Sequence, residues 1–258
     1  MTYQFLQLEK QNNIGILRFN RPAQLNAFET VMIQEAPAAL RELLDDESVR
    51  VVVITGNGKG FCAGADVNLL QELGATSDTS RGKILVSTGS ELVEMIHAAD
   101  KPVIAAINGP AAGGGAGIAL GCDLRVMAQS ASIGFTFIRI GLHPDLGCTY
   151  FLPRLVGPAK AAELMMTGEM VGADEALRLG MVNHVVPDAE LLSATLKLAH
   201  VIADKSPLAL RLLKKGLHQT FEQSLDAMLK YEVYSQSLCF DSKEAAAAIQ
   251  KFLAARKK

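Results

Sequence analysis

The sequence predicts an α/β core followed by a purely helical C-terminal segment. Three observations carry that expectation. Twice, at residues 49–55 and 102–107, an apolar run rich in β-branched residues ends in a glycine cluster and passes into a helical pattern. From Ser206 onward the chain keeps only helical periodicity. And 49% of its 258 residues are hydrophobic against 20% charged, enough to bury a large core.

In order along the chain, residues 14–19 alternate and are rich in branched side chains, which predicts a strand. Asn20, Arg21 and Pro22 turn the chain. A helix is expected over 28–44, kinked or split by Pro37. Residues 49–55 have the continuous apolar character of a strand covered on both faces, and Gly56, Gly58 and Gly60 end it. A helix is expected over 66–73. The second buried strand, 102–107, runs into Asn108, Gly109 and Pro110, then Gly113, Gly114 and Gly115, with a helix over 116–120. Short strands are expected at 124–128, 131–134 and 182–186, and helices at 159–166 and 173–179, the latter stopped by Gly180. Ser206-Pro207 is an N-cap followed by proline at the first helical position. Asp241, Ser242, Lys243 and Glu244 resemble a capping box. A boundary near residue 200 divides a core, 1–200, from a helical module, 201–258, with little core of its own and therefore suited to packing on another subunit.

Composition excludes several classes. A net charge of −2 with scattered cations argues against a nucleic-acid partner. Cys62, Cys122, Cys148 and Cys239 form no C-x-x-C pair, which predicts reduced thiols in a cytoplasmic compartment. The first eleven residues lack the basic start and apolar run of a signal peptide. Residues 102–122 carry no charge, yet six glycines and two prolines make them a poor membrane helix. No metal-ligand spacing occurs, and G-x-S-x-G is absent.

Glycine turns between strand and helix often hold phosphate. Here Gly60 stands where a P-loop needs Ser or Thr, and G-x-G-x-x-G is missing from both turns. Two such turns facing one another could instead bring one N–H each to a single carbonyl oxygen. That is an oxyanion hole, worth ~3 kcal/mol per donor in a transition state.

The run Gly56-Asn57-Gly58-Lys59-Gly60-Phe61-Cys62-Ala63-Gly64-Ala65-Asp66, followed by Lys101-Pro102-Val103-Ile104-Ala105-Ala106-Ile107-Asn108-Gly109 and the glycine triplet, resembles the enoyl-CoA hydratase/isomerase, or crotonase, superfamily. Asn20-Arg21-Pro22, Cys122-Asp123, Thr167-Gly168 and the segments 152–157 and 173–186 also match, so the resemblance covers residues 14 to the end. It implies a spiral of ββα units with C-terminal trimerisation helices, assembled as a homotrimer or dimer of trimers. It implies an acyl-CoA thioester substrate and no separate cofactor, since coenzyme A enters as part of that substrate. By position the oxyanion donors fall on the N–H groups of Ala65 and Gly114. The Ala63 carbonyl falls where the family holds the CoA adenine, and Lys59 is a candidate for its phosphates. Asp66 and Asp123 look structural.

Hydratases of the family use two glutamates, and this chain has Gly117 and Phe137 at those places. Asp145 instead resembles the catalytic aspartate of the isomerase branches, and residues 151–157 look like the epoxyphenylacetyl-CoA isomerases. One carboxylate suffices to move a proton two carbons along one face of an enolate. An apolar wall from Phe137, Ile138 and Ile140 would raise its pKa. Asp145 also has the sequence of an N-cap for a helix starting near Leu146. A dehalogenase of the same superfamily would need a histidine where Ser90 stands and a tryptophan where Phe137 stands; the chain has no tryptophan. A weak hydratase and a non-catalytic acyl-CoA-binding protein remain the alternatives. His143 is read as loop surface, His97 as a dipole contact at a helix end, Cys62 and Cys148 as small buried residues, and Arg256, Lys257 and Lys258 as a solvated tail.

Overall fold

A computed structural model describes residues 2–76 and 79–255. Strands β1 (Leu6–Gln11) and β2 (Ile14–Phe19) form an antiparallel hairpin whose two-residue turn places Asn12 at φ +54°, a conformation asparagine tolerates. β1 escaped the sequence pattern because QLEKQ is polar: it is the edge strand and only Leu6 is fully buried. Helix α1 (Thr30–Asp45) follows, then β3 (Val51–Gly56), α2 (Val67–Thr76), α3 (Thr79–Ala98), β4 (Val103–Ile107), β5 (Ala111–Ala112), α4 (Gly114–Gly121), β6 (Leu124–Ala128) and β7 (Ser132–Gly134). Next come α5 (Cys148–Val156), α6 (Pro158–Thr167), β8 (Met170–Gly172), α7 (Ala173–Arg178), β9 (His184–Val186) and α8 (Leu191–Ala203), and last α9 (Pro207–Gln219), α10 (Leu225–Phe240) and α11 (Lys243–Ala255).

The strands form two sheets. One has the order β1-β2-β3-β4-β6-β9, parallel from β2 onward; the other is β5-β7-β8. After β4 the chain alternates between them, β5 in the small sheet, β6 in the large, β7 and β8 in the small, β9 in the large. That alternation winds the expected spiral. β3 and β4 are buried at every residue, as their unbroken apolar runs require. The uncharged stretch 102–122 resolves into β4, β5 and α4, and no described helix is long and apolar enough to cross a membrane.

Pro37 was expected to kink or split α1, and the helix is not split: it runs from Thr30 to Asp45 with Pro37 inside it. Met32, Ile33, Ala36, Leu40 and Leu43 bury beside it. Packing of that face outweighs a local cost of ~3 kcal/mol. Ser206 caps α9 as read, accepting from the Ala209 N–H, while at α11 the cap is Ser242 accepting from the Ala245 N–H, and the Ser242 N–H donates to Cys239 rather than to Glu244. α8 packs on β2, β3, β4 and β6, whereas α10 buries no residue.

Candidate active site

The first glycine turn is clamped by two asparagine side chains. Asn26, fully buried, accepts from the Arg21 N–H and donates to the carbonyls of Asn57 (2.9 Å) and Gly60 (2.7 Å). Asn108 accepts from the Gly56 N–H and donates to Gly58 and Gly60, each at 3.0 Å. Side chains have no room there: a Cβ on Gly109 would run into the Lys59 carbonyl. The chain then pairs with the second turn, since Cys62 N–H donates to Pro110 and Ala112 N–H donates back to Cys62. On its other edge Phe28 donates to the Gly64 carbonyl and accepts from the Asp66 N–H. Those bonds bracket Ala65, whose own N–H donates to no protein acceptor among the described residues.

Gly113, at φ +55°, donates to Gly134 and caps α4 with its carbonyl, which accepts from Ala116 and Gly117. Gly114 is the first residue of α4, so its N–H has no partner within the helix. The two turns touch backbone to backbone: a Cβ on Gly64 would lie 2.9 Å from the Ala112 carbonyl oxygen and 3.8 Å from the Gly113 Cα. Ala65 and Gly114 line one cavity of about 630 Å³, together with Ala63 and Asp145.

Asp145 reaches that cavity from the segment ahead of α5. A Cβ on Gly114 would stand 4.0 Å from its Oδ1, and this oxygen is buried without any hydrogen-bond partner. Burial pushes the carboxyl up to about 6, against a smaller opposing pull from His143 and from its own backbone N–H. The N-cap alternative is not what forms. α5 starts at Cys148 with Gly147 in the left-handed conformation at its cap, and no side chain caps it. Of the expected apolar wall, Phe137 and Ile140 line the cavity, while Ile138 is 48% exposed and lies outside it.

Gly117 stands where a glutamate would serve hydration, and its surroundings leave no space for one. A Cβ there would lie 2.6 Å from the Leu146 carbonyl oxygen and 3.2 Å from the Cys148 sulfur. Leu146 itself adopts φ +48°, a strained backbone for a leucine. Its side chain sits in a socket of glycines, 3.0 Å from the Cβ position of Gly89 and 3.1 Å from that of Gly114. Sequence reasoning missed Leu146 and Gly89. The one available signal was an isolated glycine within a helical pattern at Gly89.

The remaining candidates separate from this site. Lys59 is exposed on the first turn and does not line the cavity. Asp66 caps α2 through the Asn68 N–H and pairs with Arg21 at 3.0 Å. Burial would raise its pKa, but these partners bring it down. Asp123 holds Lys214 at 2.8 Å and accepts from the Val103 N–H at 2.7 Å. His97 stacks on His218 at 3.6 Å, and burial, then the His218 and Lys214 charges, push it down to about 4. It is therefore uncharged at neutral pH, and the expected dipole contact, which needs a cation, does not operate. Cys62 and Cys148 are buried free thiols with raised pKa, chiefly from burial. Among the described residues no side-chain cluster could hold a metal ion. Arg256, Lys257 and Lys258 lie outside the described residues. A larger cavity of about 750 Å³ adjoins His97 and His218; Lys214 on its wall pairs with Asp123, Lys215 with Asp100 and Glu222 with Tyr150, while Glu94 is exposed at its border.

The profile of a family described as enoyl-CoA hydratase/isomerase matches residues 9–258. The chain is 38% identical to a crotonyl-CoA hydratase of Syntrophomonas wolfei, over 100% of this chain and 98% of that protein. It is 34% identical to a 1,2-epoxyphenylacetyl-CoA isomerase of Escherichia coli, over 98% and 97% respectively. A solved enoyl-CoA hydratase of Bacillus anthracis superposes with a TM-score of 0.92 at 33% identity, covering 97% of this chain and 96% of that one.

Proposed function

This chain belongs to the enoyl-CoA hydratase/isomerase family, and from that premise we propose that it shifts a double bond in an enoyl-CoA thioester with Asp145 as its single acid/base. The observation that carries the proposal is the pairing of an unpartnered, buried Asp145 oxygen beside Gly114 with a filled space at Gly117. The thioester oxygen would accept from the N–H groups of Ala65 and Gly114. The Asp145 carboxylate takes a proton from the carbon next to the thioester carbonyl, and the freed electron pair becomes the enolate that the two amides stabilise. The protonated carboxyl then returns that proton two carbons away, so the double bond moves and no atom is gained or lost. A raised pKa suits both halves of this cycle, because the same group must take and give a proton near neutral pH.

The Ala63 carbonyl is proposed to hold the adenine of the CoA moiety and the exposed Lys59 a phosphate, with no separate cofactor. Residues 201–258 are proposed as the trimerisation module: α10 exposes Leu225, Leu229, Val233 and Phe240 and buries nothing, a face too apolar to leave in water. Sedimentation of a trimer or hexamer of the 27.6 kDa chain would support this assembly.

A hydratase is the second reading, favoured by the names of most relatives. A panel of 3-enoyl-, 2-enoyl-, dienoyl- and epoxyaryl-CoA thioesters separates the two. Isomerisation that disappears in Asp145→Asn supports the proposal. Hydration of crotonyl-CoA unaffected by that substitution replaces it, and binding without turnover of any thioester leaves a carrier.

A further inference from the structure

We infer that the cavity beside Ala65 and Gly114 selects thioesters whose acyl group is an extended, unsubstituted hydrocarbon, and that Gly82 sets how large that group can be. The inference rests on the reading of this cavity as the acyl site.

Size is the first observation. A four-carbon acyl group with its sulfur and carbonyl oxygen has about six heavy atoms, which need on the order of 180 Å³ if each takes the room of a liquid water. The cavity holds about 630 Å³, and although the CoA arm takes the end at Ala63, a short acyl group leaves the far end lined by Leu70, Leu73 and Leu85 unfilled. Chemistry is the second. Beyond the glycine turns the wall includes Leu70, Leu73, Leu85, Val86, Ile140 and Leu142. Apart from Asp145, Thr136 is the one polar side chain among the described lining residues. A hydroxyl or carboxyl far along the acyl chain would give up water and find no partner. Val67 and Ile140 stand more than half exposed at the border, and a hydrocarbon tail would cover them.

The third observation concerns two glycines of α3. Gly89 is required by packing, because a Cβ there would press on Leu146. Gly82 is required by nothing of that kind among the described residues: it has no positive φ, and an added Cβ would meet none of their atoms within 4 Å. Glycine is a poor helix former, yet here it replaces a side chain that would project into cavity space. Gly74 of α2 has the same freedom but is exposed and borders no part of the cavity.

Calorimetric titration with butyryl-, hexanoyl-, octanoyl-, decanoyl- and phenylacetyl-CoA, and with free coenzyme A, tests this without depending on which reaction is catalysed. Affinity should rise about 3- to 4-fold per buried methylene, so octanoyl-CoA should bind at least tenfold tighter than butyryl-CoA. 8-Hydroxyoctanoyl-CoA should lose that gain. Phenylacetyl-CoA should bind more weakly than octanoyl-CoA, and a ring that binds tighter overturns the selection for an extended chain. Gly82→Leu should cut octanoyl-CoA affinity at least tenfold and leave butyryl-CoA unchanged, while Gly74→Leu, the same change on a neighbouring helix, should alter neither. Butyryl-CoA tighter than free coenzyme A, but with no gain from longer chains or no effect of Gly82→Leu, overturns this inference alone. Thioesters no tighter than free coenzyme A overturn the acyl-site reading and the inference with it.

Discussion

Asp123 and Asp145 are two carboxylates withdrawn from water at opposite ends of α4, and their surroundings differ in one respect. Asp123 has Lys214, His218 and the Val103 N–H around it. Burial would raise its pKa, but the His218 and Lys214 partners bring it down, so it stays ionised and ties α9 to the end of the core. Asp145 has one oxygen with no partner, and burial raises it instead. A buried charge with partners holds structure together, while one without them is costly to the fold and available to a substrate. That difference is what singles out Asp145 for the proposed role.

The strongest way to break this comparison is Asp145→Asn. It removes the proton carrier but little volume, so kcat for isomerisation should fall about 10³-fold while acyl-CoA affinity stays nearly unchanged. Stability should hold or rise, because an uncompensated buried charge is gone. Full activity in this variant, measured by single-turnover kinetics, ends the assignment. Asp123→Asn is its mirror. It strands Lys214 in a buried position, costing about 3 kcal/mol and lowering the melting temperature by about 8 °C. Turnover per folded molecule should persist, which calorimetry and active-site titration together would establish.

Much of this contrast was legible before any coordinates. The paired glycine turns stand out in the sequence, because special backbone geometry requires glycine, while Ala65, Gly114 and Asp145 were singled out by the resemblance to the crotonase superfamily. What was not legible depends on long-range packing. Nothing local says that Asp123 meets Lys214, 91 positions later, or that Pro37 can sit inside a helix whose buried face compensates. The N-cap pattern at Asp145 was locally sound, and it fails because Leu146 and Gly147 take positive φ and delay α5 to Cys148. β1 was invisible since an edge strand needs only one apolar face, and its register comes from β2.

Gly117→Glu probes the same site from the other side. It supplies the carboxylate that a hydratase pattern would want, but the Leu146 carbonyl occupies the space, 2.6 Å from the new Cβ. Overpacking should cost roughly 1–3 kcal/mol and displace the segment that carries Asp145. Isomerisation should drop and hydration should not appear. A variant that gains crotonyl-CoA hydration without loss of stability would show that the segment yields easily and that Gly117 is not what positions Asp145.

The smallest effect sharpens the comparison through pH. In the proposed mechanism Asp145 must be ionised to take the first proton, so log kcat/KM should climb with slope one below about pH 6 and level off above it. Stability runs the other way. The folded pKa lies above the ordinary 3.8, so the folded chain binds this proton more tightly than the unfolded one. That contribution is complete below pH 3.8 and is lost as the pH rises through about 6. Because the group is partly solvated, on the order of 1–2 kcal/mol is at stake. Asp123, with its pKa lowered, contributes in the opposite sense: stability present above the usual carboxylate range and lost as acid protonates it. Wild-type protein and Asp145→Asn should therefore differ in stability near pH 7 and converge near pH 4, and urea titrations at the two pH values would read that difference directly. Equal differences at both would mean that the ionised carboxylate has found a partner, and that the two aspartates are not opposites after all.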